Sequence, residues 1–174
     1  MLVKRIGRMP VTAELALRTL KEHGILTNHY AEQFISHPDF SDSEHQEMTI
    51  AIASLQELGF NKGSSLEELL QYIKESQFGS CPADTGYFLR LAWADQPQSI
   101  NSILNGTHSS PDQAVTVLSP FLESDDGFPK GLYLRNVDGF LWLRGYVCDS
   151  SYRFAGDALF ALALRGQQAN PDVI

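Results

Sequence analysis

Residues 131–146 read GLYLRNVDGFLWLRGY, and the Asp138-Gly139 pair between two alternating runs is the strongest short-range hairpin signal a sequence carries. A two-residue loop fixes the register. Val137 then stands opposite Phe140, Arg135 opposite Trp142, Leu134 opposite Leu143, Tyr133 opposite Arg144 and Leu132 opposite Gly145. Because side chains alternate across a strand, one face of the ribbon holds Leu132, Leu134, Leu141 and Leu143. The other holds Tyr133, Arg135, Val137, Phe140, Trp142, Arg144 and Tyr146. The leucine face is a core face and is expected to lie against helices. The other face combines Trp, Tyr and Arg, the residue types that dominate binding hot spots.

Well before the hairpin, the first 78 residues read as short helices, each with its own start and stop. Thr12 can cap one that runs through His23 and ends at Gly24, with Leu15, Ala16 and Leu20 on one stripe. Thr27 can cap a second, through Tyr30, Phe34 and Ile35, that stops before Pro38. Ser43 with Gln46 makes a capping box for a third, since Met48, Ala51, Ile52, Leu55 and Leu58 follow at helical spacing up to Gly59. Ser65 with Glu68 repeats the device for a fourth, bearing Leu66, Leu69, Leu70 and Ile73.

At Gly79-Ser80-Cys81-Pro82 the periodicity changes. Tyr87, Leu89, Leu91 and Trp93 alternate with Phe88, Arg90 and Ala92, which predicts a strand covered on both faces. Ala114 to Phe121 supplies another. Asp157 to Arg165 has helix-favouring alanines and leucines but is short, and it reads as one more strand of the sheet. The fold class expected is therefore α+β. Residues 1–80 form a helical region, a bundle of about four short helices, and 81–174 form an antiparallel sheet of about four to five strands with the hairpin at its centre.

Composition narrows the function. The chain carries 13 basic and 21 acidic residues, a formal net charge of −8, and is 43% apolar, enough for a real interior. Residues 1–80 hold 7 basic and 11 acidic side chains and the remainder 6 and 10, so neither half hides a basic domain. That balance repels phosphates and anionic membranes, and the third expected helix has no Lys or Arg for a nucleic-acid backbone. Neither a nucleic-acid partner nor a membrane is expected. Lys4, Arg5 and Arg8 are followed by charged residues before an apolar run reaches signal-peptide length, and no stretch reaches membrane-spanning length. Two cysteines without a CxxC pair suit reduced thiols and a cytoplasmic location.

Candidate chemistry is sparse. His37, Asp39, Asp42, Glu44 and His45 gather five potential metal ligands, but the histidines lie eight apart across a Pro-containing turn, and an interhelical loop explains the same residues. Ser124-Asp125-Asp126-Gly127 lacks the alternating ligands of a calcium loop. Cys148 beside Asp149, and Ser109 beside His108, are the nucleophile candidates, and each needs a base that only the fold can supply. There is no GxGxxG and no GxxxxGK[ST], so no cofactor is expected.

The leading expectation is a small acidic interaction protein without catalytic activity, docking a protein partner through Tyr133, Arg135, Phe140, Trp142, Arg144 and Tyr146. An inhibitor- or immunity-like role suits its acidity. The competing occupants of that face are the chain's own helices and a second copy in a homo-oligomer, and Arg135 against Trp142 reads equally as a structural cation–π pair. The alternative is a small hydrolase, in which the Ser-, Asn- and Gly-rich loop from Asp95 to Gln113 closes over a pocket edged by Arg135, Trp142, Arg144 and Cys148.

Overall fold

The structure is a computed structural model that describes residues 1–42, 44–99 and 113–166. Two of the helix starts follow their capping residues. Thr12 accepts the Leu15 N–H at 3.2 Å to open α1 (Ala13–Glu22). Ser65 and Glu68 exchange both bonds of a capping box at the head of α3 (Leu66–Tyr72). The second helix, α2 (His29–Ile35), is capped by Asn28 and not by Thr27, which belongs to the short strand β2 (Leu26–Thr27).

The expected N-terminal bundle does not form. Gln46–Ser54 is a strand, β3, and Leu2–Arg8 is another, β1, paired antiparallel with it. The apolar run of β3 mimics helical spacing because both its faces are covered. Ile50 and Ile52 point into one core while Ala51 and Ala53 point into another, so no polar alternation marks it. The expected strand around Tyr87 is instead α4 (Thr85–Ala92), buried from Thr85 through Arg90, and a helix buried all round shows no polar face from which its period can be read.

Among the described residues the sheet has eight strands, not four or five, and it is mixed, not antiparallel. With β4 (Phe78–Gly79), β5 (Val115–Val117), β6 (Gly131–Val137), β7 (Phe140–Tyr146) and β8 (Leu159–Leu164), its order is β1-β3-β8-β5-β6-β7-β2, and β4 pairs with β8. The pairs β5 with β8 and β2 with β7 are parallel. The sheet curls into a half-barrel, and the hairpin lies near one end of it, next to β2, not at its centre. Strand β8 does form over the stretch expected from Asp157 to Arg165.

Two apolar cores flank this sheet. On the first face Leu132, Leu134, Leu143, Val115, Val117, Ile50 and Ile52 pack with Leu20 of α1, Phe34 and Ile35 of α2 and Leu89 of α4. On the second face Phe160 and Leu162 of β8, with Ala51 and Ala53, pack under Leu66 and Leu69 of α3 and Phe154. Two ion pairs of buried Arg8 join β1 to α4 and to the segment before β3. Arg8 at the end of β1 donates its Nε to Asp84 at the head of α4 at 2.7 Å, and its Nη2 to Asp42 at 2.7 Å.

Candidate functional site

The hairpin has the register that its Asp-Gly turn dictates. Val137 pairs with Phe140, Arg135 with Trp142, Tyr133 with Arg144 and Leu132 with Gly145. Asp138 and Gly139 take φ of 52° and 81°, the doubly positive pattern of a type I′ turn. Leu132, Leu134 and Leu143 are buried in the first core and Leu141 packs partly buried at its margin.

The outer face behaves differently along its length. At its base Tyr146 packs against the second core, its ring 6.1 Å from that of Phe154 at 87°, and burial pushes its phenol pKa up. Tyr133 lies 6.2 Å from Tyr146. Beyond them the cover ends. Tyr133, Val137, Phe140 and Trp142 belong to neither apolar core. Phe140 is 58% exposed, and Tyr133, Arg135, Val137, Trp142 and Arg144 are half-buried in the surface of the sheet.

Two arginines complete this face. The Arg144 guanidinium stacks over the Trp142 ring, its carbon 5.0 Å from the ring centre, and its Nε is buried without a hydrogen-bond partner. The cation–π pair therefore runs along β7, whereas Arg135, across the hairpin from Trp142, donates its Nε to Ser99 Oγ at 3.2 Å. Ser99 is positioned from behind by α4. Buried Arg90 donates to Gln96 and to the Trp93 carbonyl, Gln96 bonds the Leu134 carbonyl, and the Ser99 N–H donates to Asn136 O at 2.7 Å. Burial lowers the Arg90 pKa to about 10. Leu26 of β2, 38% exposed, sits beside Trp142 in register and extends the apolar edge. A two-residue strand has no periodicity, so nothing in the sequence announced it.

The other candidates are separated by the fold. Cys148 lines a cavity of about 160 Å³ with Glu67, Phe121, Asp126, Lys130 and Asp149, and among the described residues neither Arg135, Trp142, Arg144 nor any histidine lines it. Burial pushes the Cys148 thiol up to about 11 and the Cys81 thiol to about 12, against the thiolate that nucleophilic attack requires. Ser109 and His108 lie outside the described residues, as do 100–112 of the expected closing loop.

Of the five potential metal ligands, Asp42 is held by Arg8, while His37 Nε2 faces Glu123 at 3.1 Å and its Nδ1 accepts the Asp39 N–H at 3.1 Å. Among the described residues no group of three or more His, Cys, Asp or Glu is placed to hold a metal ion. The Asp125-Asp126 turn is tied down by Lys130, whose ammonium lies 3.3 Å from Asp126 and donates to the Asp125 carbonyl at 2.9 Å. No helix among the described residues is long and apolar enough to cross a membrane. Comparison with protein-family models, with curated proteins and with solved structures yields no match for this chain.

Proposed function

We propose that this chain is a small binding protein that docks a protein partner on the outer face of its β6–β7 hairpin. The observation that carries the reading is the end of the second core. Phe154 and α3 cover that side of the sheet over β3, β8 and Tyr146, while Tyr133, Phe140, Trp142 and the two arginines beyond it join no core. A half-buried aromatic group with arginine, set on rigid strands, loses little side-chain entropy when it is covered. The net charge of −8 does not define what touches this face, because the contact surface itself bears Arg135 and Arg144. Two thiols without a disulfide suit action in the cytoplasm.

The test compares wild-type protein with Trp142→Ala in affinity capture from native lysate, with thermal unfolding of both alongside. A protein held by the wild type and lost by a variant that remains folded under the capture conditions supports the reading. Equal capture by both overturns it.

A further inference from the structure

The chemistry of the occupant follows from the arginines, an inference that rests on the docking reading above. Register places Arg135 opposite Trp142 and Tyr133 opposite Arg144, so the four side chains alternate as a checkerboard in which each cation borders two aromatic rings. Arg144 donates no hydrogen bond among the described residues, and Arg135 uses only its Nε, on Ser99. A guanidinium carries five N–H donors in a planar fork, so most of the donors on this face have no acceptor among the described residues. Neither arginine has a carboxylate within ion-pair distance among the described residues, whereas Arg8 has two and Lys130 and Arg153 have one each. The Trp142 ring holds the Arg144 guanidinium but supplies no counter-charge.

Spacing then selects the ligand. Diagonal neighbours on an antiparallel pair lie about 7–8 Å apart, and side chains at alternate positions of an extended strand lie about 7 Å apart on one face. We propose that the segment this face recognises is an extended acidic strand with carboxylates at alternate positions, one on Arg135 and one on Arg144, flanked by apolar side chains against Phe140 and Tyr133. Each carboxylate can accept a bidentate pair from its guanidinium. The acidity of the rest of the chain opposes two carboxylates little, because it is screened beyond about 8 Å at physiological ionic strength, but it opposes a long polyphosphate chain along its whole track.

The test uses Trp142 emission, with Trp142→Phe to subtract buried Trp93, and four probes. These are a short peptide with two glutamates at alternate positions among valines, its glutamine and lysine counterparts, and a single-stranded oligothymidylate. The glutamate peptide is expected to shift Trp142 emission and to bind at least tenfold tighter than the glutamine peptide, a preference that falls as salt rises. Arg135→Gln and Arg144→Gln should each weaken it about tenfold and remove the preference for glutamate, with Arg144→Lys keeping part of both should the glutamine variant unfold. Equal binding of the glutamate and glutamine peptides, tighter binding of the lysine peptide or the oligothymidylate, or no response from the glutamate peptide overturns the acidic strand. The docking reading fails separately, when capture of a partner is indifferent to Trp142.

Discussion

Asn28 holds both backbone groups of Gly145. Its Nδ2 donates to the Gly145 carbonyl at 3.0 Å and its Oδ1 accepts the Gly145 N–H at 2.8 Å, while the same oxygen accepts the Ala31 N–H at 2.9 Å. One side-chain amide thus replaces a neighbouring strand for one residue and caps α2. The approach is so close that a Cβ on Gly145 would stand 2.5 Å from the Tyr30 carbonyl carbon and 2.7 Å from the Ala31 nitrogen. This contact seats α2 on the inner face of β7, on the side opposite the aromatic and arginine face.

Gly145→Ala is therefore expected to destabilise the protein by about 3 kcal/mol or more, because the clash is with backbone and not with a yielding side chain. Asn28→Ala should cost about 2–4 kcal/mol, from the lost cap together with two strand groups left without partners. Urea unfolding of both variants checks this, and a loss under 1 kcal/mol in each would be inconsistent with the contact.

Gly139→Val tests the turn. Nothing lies within 4 Å of a Cβ built there, so the cost is backbone strain alone at φ of 81°. A loss of about 1–2 kcal/mol is expected. A larger loss would mean the turn is packed against something, and no loss would mean that φ is not positive.

Where local chemistry determines structure, the sequence was legible. Asp138-Gly139 specified the hairpin register, Thr12 and Ser65 specified two helix starts, and the leucine face of the hairpin proved to be core. Where burial is two-sided, it was not. Ala51 to Ala53 and Tyr87 to Arg90 are apolar or enclosed on every side, so neither period 2 nor period 3.6 leaves a polar mark to tell strand from helix. Parallel pairing of β5 with β8 depends on residues more than forty apart, beyond any local signal. For the candidate face, its membership was readable from alternation. Arg144 rather than Arg135 stacking on Trp142, and the support of Arg135 by Ser99, required the fold.

Acid should weaken the fold through its paired carboxylates. Burial pushes the Asp42 carboxyl up, but the hydrogen bonds from Arg8 and the Glu44 N–H, with the guanidinium charge, outweigh it and hold the pKa below the ordinary value. Hydrogen bonds from Arg153 and from the chain terminus likewise lower Glu68 and Glu57. A depressed carboxyl contributes stability that is present above its unfolded pKa of about 4 and is lost as pH falls through the lower folded value. Unfolding followed from pH 7 to pH 2 should show that loss below about pH 4, with a shallower slope in Asp42→Asn. Asp84→Ala, which takes the acceptor from the Arg8 Nε while Asp42 still holds its Nη2, should cost about 1–3 kcal/mol at neutral pH.

The thiols should be slow. With Cys148 at about 11 and Cys81 at about 12, little thiolate exists at neutral pH. A disulfide reagent should label Cys148 about tenfold faster per pH unit between 7 and 9, and Cys81 only after unfolding. Rapid, pH-independent labelling of Cys148 near neutrality would revive the nucleophile reading.

The stability of Trp142→Ala decides whether the aromatic and arginine face is a surface or a core. A tryptophan removed from a packed core costs about 3–5 kcal/mol. Here the loss should be at most about 1–2 kcal/mol, the worth of cross-strand and cation–π contacts, since Trp142 joins neither apolar core. A loss of core size in chemical denaturation would return this face to the protein's own interior and remove it as a docking surface.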